Sequence, residues 1–411
     1  MDICKHSEGC GGCIYQGIPY KEQIILKRKE VLRLLQEKDI SFEKYLGIEG
    51  SPKRQAYRNK MEYTFGDEVK NGEMTLGMHK KGRFMSIITV DKCQLVDNDF
   101  NVILKATLDF CKNKGYTFYH KRKHTGLLRN LVIRKGEYTG EILVNIVTSS
   151  QDSFDDSEFA EMICDLPLKN KLVGVLHTIN DRIADFVYAD KIETIWGRDY
   201  YMEEIMGLKF KVSAFSFFQT NILAIEKLYT EALSLIKDLD GKTVFDLYCG
   251  TGTIAHIMSL RAKKVIGVEI VKEAVEAAKE NARLNGIDNC EFIQDFQHIT
   301  FNKLAIINAR LNGIDNCEFI EGDVLEVLDY IQDIPDVIVL DPPRAGVHNK
   351  ALEKILNYRV KQIVYISCNP KTLVENLGLM QNHGYEVKSV KAFDNFPYTR
   401  HVECVTLMSR A

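Results

Sequence analysis

From about residue 205 onward, strand-sized apolar runs alternate with helical patterns. The runs are "TVFDLY" (243–248), "KVIGVEI" (264–270), "DVIVLD" (336–341) and "QIVYIS" (362–367). Four such runs separated by helices leave few folds open. Parallel strands need crossover helices, so the pattern predicts a doubly wound, mostly parallel sheet. In such sheets ligands bind beyond the carboxyl ends of the strands. Each run here ends there in a polar or reactive residue: Tyr248, Glu269, Asp341 and Cys368.

The first half has a different rhythm. Residues 21–38 carry apolar positions at helical spacing, predicting a helix. Residues 57–65, 74–79, 84–90, 129–135, 141–148 and parts of 172–195 alternate like antiparallel strands. The expected division is a Cys-rich motif and helix over 1–50, a β-rich domain over 51–205, and the α/β domain over 206–411. No run is long enough for a transmembrane helix, and the N-terminus lacks an apolar signal core. A cytoplasmic protein, expected as a monomer, is the consequent reading.

Charge is unevenly shared. Residues 1–140 hold 26 Lys+Arg against 17 Asp+Glu, and the remainder holds 28 against 40. A basic part joined to an acidic one suits a polyanion-binding region beside a catalytic domain. Arg58 and Lys60 among aromatics in "YRNKMEYTF", with "HKKGRF" and "HKRKHTGLLRNLVIRKG", point to RNA phosphates and stacked bases. Solvated strand faces are the plainer alternative for each.

One segment is duplicated: "NARLNGIDNCEFI" stands at 281–293 and again at 308–320. Each copy supplies a helix end, an Asn-Gly turn and a short strand. The parallel sheet is expected to have one slot for that strand, filled by the second copy because it runs into "EGDV". The first copy is then expected to loop out.

The Gly-rich turn in "VFDLYCGTGTIAHIM" lets backbone approach a ligand at Gly250 and Gly252. The third glycine of a dinucleotide site is absent. Glu269, ending the next strand, could accept both hydroxyls of a ribose. This combination favours S-adenosylmethionine over NAD. Asp323 in "EGDV" could read an adenine edge or simply cap the next helix. In "LDPPRAGV" an arginine, Arg344, follows the prolines, which argues against amino-group methylation and suits a phosphate.

Cys368 in "ISCNPKTL" sits at a strand tip before a helix N-terminus, a position expected to favour the thiolate. Uracil C5 is too weak a nucleophile to take a methyl group unaided. A thiolate adding at C6 turns the ring into an enolate that can react at C5. A base must then remove the C5 proton. "FPYTRHVE" offers His401 and Glu403, expected to alternate on one strand face.

Taken together, "SAFSFFQTN", "DLYCGTGT", "GVE", "LDPPRAG", "SCNPKTL" and "FPYTRHVE" resemble the motifs of bacterial RNA uracil-C5 methyltransferases. They are most similar to the iron–sulfur-containing 23S rRNA enzymes, and the likeness covers nearly the whole chain in order. The resemblance implies Cys368 as nucleophile and Glu403 as base. It implies Gln219, Tyr248, Glu269 and Asp341 as S-adenosylmethionine contacts. Cys4, Cys10, Cys13 and Cys93 suit zinc or an iron–sulfur cluster by residue type alone. The resemblance implies a [4Fe-4S] cluster there, and 23S rRNA rather than tRNA as the partner. Enzymes of this type often carry a small β-barrel RNA-binding (TRAM) domain ahead of the position of Cys4, and this chain is expected to lack it. Cytosine-C5 methylation lacks support, since no Pro-Cys motif is present. An RNA-binding iron–sulfur sensor without turnover is the non-enzymatic alternative.

Overall fold

A computed structural model describes residues 3–183, 189–287, 291–293, 317–329 and 331–410. Its chain order is α1 (Tyr20–Glu37), β1 (Phe42–Glu49), β2 (Lys60–Asp67), β3 (Met74–Lys80), β4 (Arg83–Thr89), α2 (Asn98–Asn113), β5 (Leu128–Lys135), β6 (Glu141–Thr148), α3 (Asp156–Cys164), β7 (Lys171–Ile179) and β8 (Lys191–Gly197). A hairpin of β9 (Tyr200–Ile205) and β10 (Leu208–Ser213) follows. The C-terminal part is α4 (Ile222–Leu235), β11 (Thr243–Leu247), α5 (Thr253–Ser259), β12 (Lys264–Glu269), α6 (Lys272–Leu284), β13 (Glu291–Ile293), β14 (Cys317–Glu321), α7 (Val324–Val327), β15 (Val337–Leu340), α8 (Asn349–Asn357), β16 (Gln362–Ser367), α9 (Pro370–Asn382), β17 (Tyr385–Phe393) and β18 (Glu403–Arg410).

Two large sheets result. The first runs β4-β3-β2-β5-β6-β7-β8, with α2 and α3 covering one face. The second is the expected α/β sheet, ordered β1-β17-β18-β16-β15-β11-β12-β14-β13. Its inner strands are parallel, while β18 runs antiparallel to both β16 and β17. Successive residues of β11 face opposite ways, so Val244 joins the core under α4, α5 and α6, and Phe245 joins the core under α1, α8 and α9. Each fully buried aliphatic or aromatic side chain of these layers contributes roughly 1.5–3 kcal/mol.

The N-terminal segment does not stand apart. α1 packs Val31, Leu34 and Leu35 into the core of the second sheet, and β1 is that sheet's edge strand, parallel to β17. The sequence shows an apolar helix stripe but not its distant docking partner.

The duplicated segment corrects an expectation. The second copy does pair with β12 as β14, but the first copy also enters the sheet. Its β13 lies parallel to β14, with Glu291, Phe292 and Ile293 opposite their own counterparts Glu318, Phe319 and Ile320. An open sheet edge accepts one more strand of the right pattern, so there was no single slot to fill.

Candidate active site and cysteine pocket

Several chain segments meet at the carboxyl edge of the second sheet. After β11 the chain turns sharply, with Tyr248 at φ 69°, Gly250 at φ 54° and Gly252 at φ 76°. The space on the Cβ side of Gly250 is open. Glu269 is locked over this turn: one carboxylate oxygen accepts from Gly250 N at 2.9 Å, the other from Ile270 N and Val271 N at 3.0 Å. Carboxylate oxygens have lone pairs to spare, so the group can still receive hydroxyl donors. Tyr248 stands beside Glu269 and Asp323, and burial with these acids pushes its phenol up to about 12. Asp323 itself is the N-cap of α7, accepting from Leu325 N at 2.8 Å.

The thiol and the carboxylate expected to act together are neighbours by strand register. In the antiparallel β16–β18 ladder Ser367 lies opposite Cys404, which carries Cys368 alongside Glu403. Cys368 precedes Asn369, the N-cap of α9, whose side chain accepts from Lys371 N at 3.2 Å. The Asn369 amide donates to the Arg344 carbonyl at 2.9 Å, tying the arginine turn to the cysteine turn. Asn376 of α9 strengthens the tie. Its amide oxygen accepts from Val347 N and from the Tyr365 hydroxyl, and its nitrogen donates to Val347 O.

The electrostatics correct the expected thiolate. Burial, then the charges of Glu403 and Asp341, push the Cys368 thiol up to about 11, with Arg344 pulling the other way. Desolvation and two carboxylates outweigh one helix N-terminus and one guanidinium. The carboxylates suffer likewise. Burial and Asp341 push Glu403 up to about 8, opposed by Arg344 and Lys27. Asp341 is pushed up to about 7 by burial. Asp246, wholly buried within β11, is pushed up to about 8 by burial and Asp341. A basin that disfavours further negative charge favours a cationic ligand.

Gln219 reaches the same region, its amide nitrogen 3.4 Å from the buried Tyr229 hydroxyl. The α4 cap is Asn221, not Gln219, and Asn221 also holds Asn395 O at 2.7 Å. His401 precedes β18 rather than alternating with Glu403 inside it. Burial and then the charges of Arg344, Lys27, Arg400 and Arg58 push the pKa of its imidazole down. The sequence reading missed Asp246, Tyr229, Asn376 and Lys27. Acids inside apolar strands and polar residues on a buried helix stripe were the available signals.

Cys4, Cys10, Cys13 and Cys93 line one cavity of about 100 Å³, with His6 and Arg58 at its wall. Burial and the neighbouring thiols push Cys13 up to about 12 and Cys93 up to about 11. Among the described residues, no three or more His, Cys, Asp or Glu side chains are arranged to hold a single metal ion.

The basic residues divide. Arg129, Arg134 and Lys135 are buried and internally engaged, against the expectation of a phosphate-facing strand. Arg129 donates to Asn180 O and Arg182 O at 2.8 Å, Arg134 to Ser216 O at 2.7 Å, and Lys135 to Asp97 at 2.7 Å. Buried cations need such partners. Arg122 and Lys123 are exposed, beside an open cavity of about 500 Å³ lined by Tyr116, Phe118, His120 and Lys123. Among the described residues, no helix is long and apolar enough to cross a membrane.

The tRNA (uracil-5-)-methyltransferase family profile matches residues 189–411. An uncharacterized RNA methyltransferase of Clostridium acetobutylicum is 49% identical over 401 residues, covering 98% of this chain and 82% of that one. Another, from Caldanaerobacter subterraneus subsp. tengcongensis, is 45% identical over 408 residues, covering 99% and 84%. Among solved structures, the Pyrococcus abyssi tRNA (uracil-54, C5)-methyltransferase in complex with S-adenosyl-L-homocysteine superposes with a TM-score of 0.73. That match covers 97% of this chain and 86% of that one at 24% identity, a likeness of fold. The chain thus belongs to the tRNA (uracil-5-)-methyltransferase family.

Proposed function

We propose that this enzyme methylates C5 of a uridine in 23S rRNA, with Cys368 as nucleophile and Glu403 as base. The observation that carries the reading is the β16–β18 register, which sets the thiol beside a buried carboxylate at the ligand edge of the sheet. Glu269, Tyr248, Gln219, Asp341 and Asp323 would hold S-adenosylmethionine, which would supply the electrophilic methyl group. The carboxylate basin around Asp246, Asp341 and Glu403 suits its sulfonium charge.

The chain's own chemistry is as follows. Cys368 gives up its thiol proton to solvent, the Sγ electron pair bonds to uracil C6, and the C5–C6 π pair moves toward O4. The electron pair returning to C5 takes the methyl group of the sulfonium, whose S–CH3 electron pair would stay on the departing thioether, and a Glu403 carboxylate oxygen takes the C5 proton. That electron pair re-forms C5=C6 and expels the thiolate. A base near pH 8 is well matched to proton removal at neutral pH. Arg344 eases ionisation of both Cys368 and Glu403. The uracil must leave its stack to reach the thiol. Arg344, Arg400 and Arg58 around His401 are candidate phosphate contacts.

We assign residues 51–205 to RNA binding and 206–411 to catalysis. Residues 1–50 with Cys93 form a [4Fe-4S] site in this reading. Four thiols around one cavity support it, and a cluster needs its ligands spread over four irons rather than converging on one ion. The test is methyl transfer by anaerobic enzyme to unmodified 23S rRNA and tRNA transcripts. Label in 5-methyluridine of the rRNA supports the assignment, and label only in tRNA overturns the rRNA part.

A further inference from the structure

α1 buries two polar side chains one turn apart, Gln23 and Lys27, where its stripe should be apolar. Both grip the turn that leads into the strand of Glu403. The Lys27 ammonium, fully buried, lies 2.5 Å from Asp394 Oδ1 and donates to Phe396 O at 3.0 Å. The Gln23 side chain accepts from Tyr398 N at 2.9 Å and donates to Ile18 O at 2.8 Å. Tyr15 N donates to Tyr398 O at 2.9 Å, and the Tyr57 hydroxyl to Pro397 O at 3.0 Å. The turn is thus fixed from four sides by chain far away in sequence.

A buried ion pair is weak evidence for stability, because desolvation offsets the attraction. Its placement asks for another reason. The Lys27 charge reaches Glu403 as well as Asp394. The other groups facing Glu403 are Asp341, Arg344 and Cys368 at the sheet edge, Tyr229 from α4, and Cys404 on its own strand. Arg344 is exposed at the cleft mouth, so Lys27 is the buried cation in this group.

We propose that Lys27 is a positioning residue for the proton-removal step: it fixes the 394–398 turn, which begins directly after Phe393, the register partner of Glu403, and holds its buried ammonium on that turn near the carboxylate. This rests on the uracil-C5 reading and adds to it a residue from the opposite end of the chain.

The test compares wild type, Lys27→Met and the double variant Lys27→Met/Asp394→Asn. Lys27→Met leaves the Asp394 carboxylate buried and unpaired, and the double variant removes that charge too. Melting temperature is expected to fall in the first and recover in the second. Release of 5-methyluridine RNA is expected to slow in both. Loss of the cation moves the acid limb of the rate profile upward by about one pH unit, roughly a tenfold loss at pH 7. A covalent protein–RNA adduct accumulates, because addition precedes proton removal. 5-Fluorouridine RNA, which has no C5 proton to lose, is trapped by all three proteins. Recovery of the wild-type profile together with stability in the double variant overturns the proposal, as does an unshifted profile in Lys27→Met. Wild-type enzyme that traps no fluorinated RNA overturns the uracil-C5 reading itself, which is a separate result.

Discussion

Replacing Glu403 by glutamine is expected to abolish product release yet stabilise the protein, increasingly so as pH rises. Glu403 is 8% exposed, and its carboxyl is held at about 8 instead of an ordinary 4.5. Between those two values the native state keeps a proton that the unfolded chain gives up, so stability falls as pH increases through that window. At about 1.4 kcal/mol per pH unit, the upper-bound cost is roughly 1 kcal/mol at pH 5, 3 at pH 7 and 5 at pH 9. Glutamine keeps the shape and has no such cost. Its amide can lose hydrogen bonds, but that penalty does not vary with pH, so the slope carries the test. Urea unfolding of both proteins at pH 5, 7 and 9 measures it. A stability difference that stays flat with pH, or that favours wild type more strongly at pH 9, refutes the reasoning that Glu403 is strained by burial and Asp341.

Other outcomes follow from the same cleft. Asp341→Asn removes one of the charges that suppress the Cys368 thiolate, so alkylation of Cys368 at pH 8 is expected to accelerate severalfold while S-adenosylmethionine binding weakens. Cys93→Ala, purified anaerobically, is expected to lose iron and acid-labile sulfide together. Equal loss of zinc instead would assign the pocket to that metal. Deleting residues 288–314 leaves a single "NARLNGIDNCEFI", and the shortened protein is expected to retain S-adenosylmethionine binding, measured by calorimetry. Loss of binding would mean that both copies support the cofactor turn.

The catalytic sheet was legible because its signals are local. The four expected parallel strands are apolar runs, and Glu269, Asp341 and Cys368 stand at or just beyond the carboxyl ends of three of them, where position alone marks them as candidates. Glu403 was singled out over His401 only because the resembling motif ends in that residue. What stayed hidden depends on pairing across the chain. Nothing local tells that β1 lies against β17, that β13 has an edge to occupy, or that Lys27 meets Asp394 across 367 residues. Charge signs were misleading for a related reason. "RNLVIRKG" looks like an RNA-facing strand, yet Arg129, Arg134 and Lys135 turn inward to carbonyls and Asp97. The same holds for Cys368: its helix N-terminus is visible in sequence, while the carboxylates that oppose it arrive from other strands.

The proposed chemistry turns on a covalent bond between Cys368 and uracil C6. The most direct measurement mixes enzyme and S-adenosylmethionine with 5-fluorouridine-containing 23S rRNA or tRNA and resolves the products on a denaturing gel. Wild type is expected to form a stable protein–RNA band that Cys368→Ser does not form. A band of equal strength with Cys368→Ser, or methylation of ordinary RNA by that variant at the full rate, would contradict that chemistry.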